Sequence, residues 1–336
     1  MSRRFPIRAA CRLLGLTPLM LASTGCTASA PSFKATDPDS PVRLERTIPL
    51  PDTRGRIDHL AIDLAGGRLF VAEVANGTVD IVDLAAGRVV HRIAGLKGPQ
   101  GVAWLPRNHE LVVACDDGSV RFYDQKDWRE IANVSLGSDA DDARVDERNG
   151  RVVIGYGSGG LATIDPDTHR VVSRVTFTGH PEGFALADGQ AFVNVPDDGA
   201  VLAVDRDGGK VTARWPTGLH RLNFPIALDP PRHSILIAYR LPATLMRMDA
   251  RTGETLASLS ICGDSDDLFA DGDRAIVICG ASHVDIARND RVVATVETGG
   301  GARTGLFVPA LRTLFVAVPA SETPAAIWML RIKDPG

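Results

Sequence analysis

A short apolar tetrad begins at Leu60 ("LAID") and returns at Val102 ("VAWL"), Ala143 ("ARVD"), Phe184 ("FALA"), Ile226 ("IALD"), Leu268 ("LFAD") and Leu306 ("LFVP"). The intervals are 42, 41, 41, 42, 42 and 38 residues, so seven copies of one unit fill most of the chain. A second β-rich run follows each tetrad, as in "RLFVAEV", "ELVVACD", "RVVIGYG" and "SILIAYR". A third run then ends in Asp before a turn, as in "VDIVDLAAGRVV", "LATIDPDTHRVV" and "VLAVDRDGGKVT". One such unit cannot bury both faces of its own sheet, whereas neighbours stacked in a ring bury them for one another. Helical periodicity is essentially missing after the first 26 residues. The pattern predicts an all-β chain folded as a seven-bladed β-propeller of four-stranded antiparallel blades.

The two ends of the repeat fit together. The last copy stops after "AIWMLRI", Ala326 to Ile332, one strand short of a full blade. The segment "VRLERTIPL", Val42 to Leu50, parallels "RVVHRIAGL" of the first copy and is expected to supply that strand. Closure of this kind removes the sheet edges that invite aggregation. Residues 42–336 are therefore expected to form one propeller domain.

Ahead of it, "MSRRFPIRAACRLLGLTPLMLASTGC" carries four arginines, no acidic residue and an apolar stretch from Leu13 to Ala22. That run is too short for the ~20 residues a membrane span requires, so residues 1–26 read as an export signal. Ser23-Thr24-Gly25-Cys26 is similar to a lipoprotein box, with Ser23 where Leu is preferred. Lipidation of Cys26 and ordinary cleavage both remain open, and only the first would hold the domain at a membrane. Residues 27–41, rich in Ser, Ala, Pro and Thr, read as a flexible tether. The expected location is periplasmic, either free or anchored by that lipid.

The whole chain carries 37 basic and 41 acidic residues. Removing residues 1–26 takes away Arg3, Arg4, Arg8 and Arg12 and leaves 33 against 41, a formal charge of −8. An acidic surface argues against nucleic acid as a partner. Cys115, Cys262 and Cys279 show no zinc spacing. Cys262 and Cys279 fall at strand ends on one face of adjoining blades, so a disulfide between them is an expectation, and Cys115 reads as a small core residue.

The stretch "LFVAEVANGTVDIVDLAAGRVVHRIAGLKGPQGVAW", Leu69 to Trp104, resembles the YVTN-type β-propeller repeat proteins, a family of exported bacterial propellers. It shows the family's order of strand, Asn-containing turn, Val-rich strand, Asp, small-residue turn and Pro-x-Gly. The likeness covers roughly residues 42–334 and weakens in the sixth copy, "VDIARNDRVVATV". It implies a propeller and little chemistry, because roles within the family are diverse.

Segments entering the inner strands converge on one mouth of a propeller channel, the usual place for a site. Two residues before each tetrad stand Asp58, Gln100, Asp141, Glu182, Phe224, Asp266 and Thr304. Neighbouring positions add His59, Asp139, Asp142, His180, His220, Arg221, Asn223, Asp264, Asp267 and Arg303, and the second-strand ends add Glu73, Asp116, Tyr156, Asn194, Tyr239 and Arg240. From these, the expected ligand-binding set is Asp58, His59, Gln100, Tyr156, Asp141, His180, Glu182, His220, Arg221, Tyr239, Asp266 and Arg303. The mouth should be polar and acidic. Many of the Asp residues, the pairs Asp141-Asp142 and Asp266-Asp267 above all, also suit plain turn formation. A competing reading places Ca²⁺ or Mg²⁺ on Asp58, Asp141, Glu182 and Asp266, and a weaker one a transition metal on His59, His180 and His220.

Asp58-His59 does not make a hydrolase dyad, since adjacent residues of an extended chain point to opposite sides. There is no G-x-S-x-G elbow, no P-loop and no haem-attachment C-x-x-C-H. Two function classes remain. The first is a monomeric, non-catalytic binding scaffold for a small molecule, a cation or an envelope protein. The second is a metal-assisted hydrolase or lyase resembling the lactonase and streptogramin-lyase propellers, which lacks matching catalytic motifs here.

Overall fold

The computed structural model describes residues 40–333. The signal segment with Cys26, nearly all of the tether and residues 334–336 lie outside the described residues. Twenty-eight strands form seven four-stranded antiparallel sheets. Blades 1 to 6 take residues 60–94, 99–135, 140–176, 184–216, 221–260 and 265–297. Blade 7 combines residues 305–332 with the N-terminal strand Val42–Pro49. Among the described residues no helix is long and apolar enough to cross a membrane.

The strand sequences follow from where each strand sits. Second strands such as Glu110–Cys115 and Thr313–Val318 are buried at every residue, because both faces are covered by neighbouring blades. They read as near-continuous apolar runs for that reason. Outer strands such as Lys210–Pro216 alternate exposed and half-buried residues. The core therefore lies between blades: Phe70 and Ile81 of blade 1 pack with Val102, Trp104 and Leu111 of blade 2. Val153 and Leu161 of blade 3 meet Phe184 and Val193 of blade 4 in the same way.

The Asp that ends the third strand in blades 1 to 5 builds the next turn. Asp83 Oδ1 accepts a hydrogen bond from the Ala86 amide at 2.8 Å, Asp205 Oδ1 from Gly208 at 2.7 Å, and Asp249 Oδ1 from Thr252 at 2.7 Å. Blade 6 uses a tighter connection, with both Asn289 and Asp290 left-handed (φ 51° and 56°) between paired Arg288 and Arg291. Asn and Asp tolerate that region best among non-glycine residues, which accounts for the divergent turn there.

Closure rests on Val42–Pro49, which pairs antiparallel with Ala326–Ile332 from Val42↔Ile332 to Pro49↔Ala326. A disulfide joins Cys262, just past the outer strand of blade 5, to Cys279 at the end of the second strand of blade 6, with 5.9 Å between Cα atoms. Cys115 is free and buried. The bridged residues are 17 apart. A loop of roughly that length constrains the unfolded chain by about 3 kcal/mol. Cys262→Ser should lower the urea midpoint accordingly, and a midpoint equal to wild type would show that the blade 5–6 junction needs no covalent tie.

Candidate functional site

The segments entering the inner strands close around one recess of about 200 Å³ at the channel mouth, and every blade contributes to it. Arg56 precedes the inner strand of blade 1, Gln100 stands in that of blade 2, and Asp139 and Asp141 come from blade 3. His180 and Glu182 come from blade 4, Phe224 and Arg240 from blade 5, Asp266 from blade 6 and Arg303 from the approach to blade 7. Deeper in the channel a smaller void of about 40 Å³ adds Asp58, His59, Asp142 and Asp267.

Eight of the twelve residues expected from sequence line these two spaces: Asp58, His59, Gln100, Asp141, His180, Glu182, Asp266 and Arg303. Four do not. Tyr239 points into the blade 4–5 core at 1% exposure. His220 packs against it with ring centres 5.0 Å apart. Arg221 folds back onto the carbonyls of Gly218 and His220. Tyr156 lies under the Arg174 guanidinium at 5.0 Å. The second-strand ends thus present one face to the mouth and the other to the core, and period-two alternation decides which. Glu73 is likewise buried, accepting hydrogen bonds from Thr53 and Thr78 at 2.5 Å each.

The acidic doublets are strand residues and not turn formers, since Asp141-Asp142 lies in Ala140–Asp146 and Asp266-Asp267 in Ser265–Asp271. Alternation divides their work. The first Asp of each faces the recess, and the second clamps the next blade: Asp142 Oδ2 accepts from the Phe184 amide at 3.4 Å, and Asp267 Oδ2 from Gly305 at 2.7 Å. Other junctions are tied in the same layer, by Asn194 Nδ2 donating to the Phe224 and Pro225 carbonyls and by Thr304 Oγ1 donating to the Ile57 carbonyl, all at 3.1 Å. The groups that surround the recess are thereby set on a braced ring.

The mouth is not simply acidic, because cations are interleaved with its carboxylates. Arg56 pairs with Asp58 at 2.6 Å. Arg240 contacts Asp264 at 3.2 Å and pairs with Asp266, with its guanidinium 3.9 Å above the Phe224 ring centre. Arg303 pairs with Asp264 at 2.9 Å. His180 donates through Nδ1 to the Gly157 carbonyl at 2.6 Å and turns Nε2 toward Asp141 at 3.8 Å. His59 sits between Asp58 at 3.9 Å and Asp267 at 3.8 Å, too far for the hydrogen bond of a catalytic dyad.

Burial and crowding set the proton affinities here. Burial pushes Asp58 up to about 7, with Asp141 and Asp266 adding to it. Burial likewise pushes Glu182 up to about 8, reinforced by Asp141 and Asp266, and Asp267 up to about 6. Burial alone would lower both histidines. The surrounding carboxylates outweigh it and hold His59 and His180 at about 9.

The donor set does not fit a resident Ca²⁺ or Mg²⁺. Asp58, Asp141, Glu182 and Asp266 do border one space, but guanidiniums pair with Asp58 and Asp266 and His180 faces Asp141. Among the described residues no three His, Cys, Asp or Glu side chains converge to hold one ion. Ca²⁺ takes six to eight oxygen ligands at about 2.3–2.6 Å, and Mg²⁺ takes six at about 2.0–2.1 Å, several of them waters, held through one or two carboxylates that have no competing cation.

Two residues carry more of this site than sequence reasoning assigned them. Arg56 shares the alternation of Asp58, two residues on, and a cation at that spacing from a buried carboxylate was the available signal. Arg144 occupies the second tetrad position, where the other copies have Ala61, Ala103, Ala185, Ala227, Phe269 and Phe307. It pairs with Asp142 at 3.0 Å and stands between the small void and a wider cavity of about 620 Å³ bordered by Leu186, Leu228, Phe269 and Phe307.

No protein-family model matches this chain, and no curated protein matches it. Among solved structures, Kuenenia stuttgartiensis hydrazine synthase superimposes with a TM-score of 0.74 at 16% identity, over 82% of this chain and 96% of that one. The chain is a seven-bladed β-propeller. At that identity the likeness extends to the fold alone.

Proposed function

We propose that the protein is an exported propeller of the YVTN type that works as a non-catalytic binding scaffold, taking a small polar ligand in its channel mouth. The observation that carries this reading is the single recess to which all seven blades contribute, furnished with three arginines, a histidine and four carboxylates. Convergent polar groups on a rigid concavity are what orient a small ligand. The ion pairs that already link these side chains hold them in place before anything binds, which lowers the ordering cost of association. The Cys262–Cys279 disulfide supports export, since such bonds persist in oxidising compartments. The Leu69 to Trp104 repeat supports the family.

Melting curves against sugars, amino acids, nucleosides and carboxylic acids test the reading. A true ligand at a hundredfold excess over its Kd should stabilise the fold by about 2.7 kcal/mol. The gain should vanish in Arg303→Ala, which alters a half-exposed lining residue. Stabilisation of equal size in that variant would place the ligand elsewhere.

A further inference from the structure

We infer that the mouth recess selects a compact zwitterion of the amino-acid class, its ammonium group held at Glu182 and its carboxylate between Arg56 and Arg303; this rests on the mouth being the binding site. Glu182 is the lining carboxylate left without a partner. Asp266 has Arg240, Asp139 accepts from Gln100 Nε2 at 3.2 Å, and Asp141 has His180 within 3.8 Å. Its amide donates to the Asn194 carbonyl at 3.0 Å, but no hydrogen bond or ion pair engages the Glu182 side chain among the described residues, although it borders both the recess and the void beneath it. Glu182 is half-buried with its proton affinity raised to about 8, so an arriving cation favours its ionised form and releases that proton.

The opposite wall supplies the complement. Arg303 and Arg56 flank the junction of blades 7 and 1, where Thr304 Oγ1 is bonded to the Ile57 carbonyl at 3.1 Å. In a ring of seven, blade 4, which carries Glu182, faces that junction. Each guanidinium has five N–H donors. Arg56 commits one terminal nitrogen to Asp58 and Arg303 one to Asp264, so both keep donors for a carboxylate. The recess therefore has a cationic pole and an anionic pole on facing walls.

Single-charge ligands fit worse. A plain amine would meet Arg56 and Arg303, a plain anion would meet Asp141 and Asp266, and an uncharged sugar would engage neither pole. A metal ion lacks its donors. The volume of about 200 Å³ suits one amino-acid-sized molecule.

Calorimetric titration of the mature protein with free L-amino acids, their N-acetyl derivatives, their amides and neutral hexoses tests this. At least one free amino acid should bind, and acetylation, which removes the ammonium, and amidation, which removes the carboxylate, should each weaken it tenfold or more. Glu182→Gln should weaken the free amino acid tenfold or more while leaving its N-acetyl derivative unchanged, and Arg303→Gln should do the same with the amide unchanged. Glu182→Asp, which keeps the charge, should restore part of the loss, and melting curves confirm that each variant is folded. Hexose binding that is lost in Arg303→Ala, with no amino acid binding, would overturn the zwitterion assignment and leave the scaffold reading intact. No binding by any probe, or binding that no mouth substitution changes, would overturn both.

Discussion

Deleting residues 42–50 is expected to unfold the propeller and not merely trim it. The segment supplies the fourth strand of blade 7, paired along its length with Ala326–Ile332. It also reaches two inter-blade cores. Val42 sits in the cluster between blades 6 and 7, and Ile48 and Leu50 in the one between blades 7 and 1, all at 1% exposure or less. Truncating one large buried aliphatic costs about 2–5 kcal/mol. Losing three, together with a hydrogen-bonded ladder, reaches the whole ~5–15 kcal/mol that holds a typical domain folded. The deletion would also bare the edge of Ala326–Ile332, a template for pairing with other chains. Circular dichroism should show loss of the native transition, and size-exclusion chromatography should show aggregates. Ile48→Ala, a milder version, should lower stability by about 2–4 kcal/mol with the fold retained. A monomeric deletion variant with a wild-type urea midpoint would mean that the remaining three strands of blade 7 close the ring unaided.

What was legible in the sequence is what repeats. A blade must bury two faces and turn at fixed intervals, so the tetrads, the apolar second strands and the Asp-led turns recur where chain geometry demands them. Val42 to Leu50 was legible for the same reason, as the missing member of a counted series. The site was half legible. Position relative to the tetrad located Asp58, Gln100, Asp141, Glu182 and Asp266 at the mouth, because alternation fixes which side such residues face. Their partners were not legible. The pairings of Arg240 with Asp266, and of Arg303 with Asp264, join residues brought together by the ring and not by spacing. An excess of carboxylates in the mouth-facing segments therefore suggested a metal, whereas the folded site balances much of that charge with guanidiniums. The loss of Tyr239 to the core has a similar origin, since a strand-end residue faces a neighbouring blade or the channel according to a register that only the folded sheet defines.

The same charge lattice should make the protein less stable as pH rises from about 6 to 9. His59 and His180 are held at about 9 in the folded chain, above their ordinary 6.5. The stability they contribute is fully present below 6.5 and is lost as pH climbs through 9. Asp58, Glu182 and Asp267 act in the same direction, being raised to about 7, 8 and 6. The fold keeps protons that the unfolded chain has already released near pH 4, so each of these carboxylates becomes a growing penalty as pH approaches its folded value. Asp146, lowered to about 2 by its hydrogen bonds with Arg148 and Arg206 after burial is overcome, works oppositely, but its contribution is complete above about pH 4. A tenfold change in proton affinity is worth about 1.4 kcal/mol, so each histidine alone accounts for a decline of about 3 kcal/mol between pH 6.5 and 9, and Glu182 adds to it. Urea midpoints at successive pH values measure it. In His59→Gln the midpoint should be lower at pH 6, because the carboxylates Asp58 and Asp267 lose the cation between them, and the slope from pH 6.5 to 9 should be shallower, with the part owed to His180 and Glu182 retained. A wild-type midpoint that is flat or rising over that interval would mean that the buried carboxylates hold no cationic histidine between them, and the ring would then owe its rigidity at the mouth to Arg56, Arg240 and Arg303 alone.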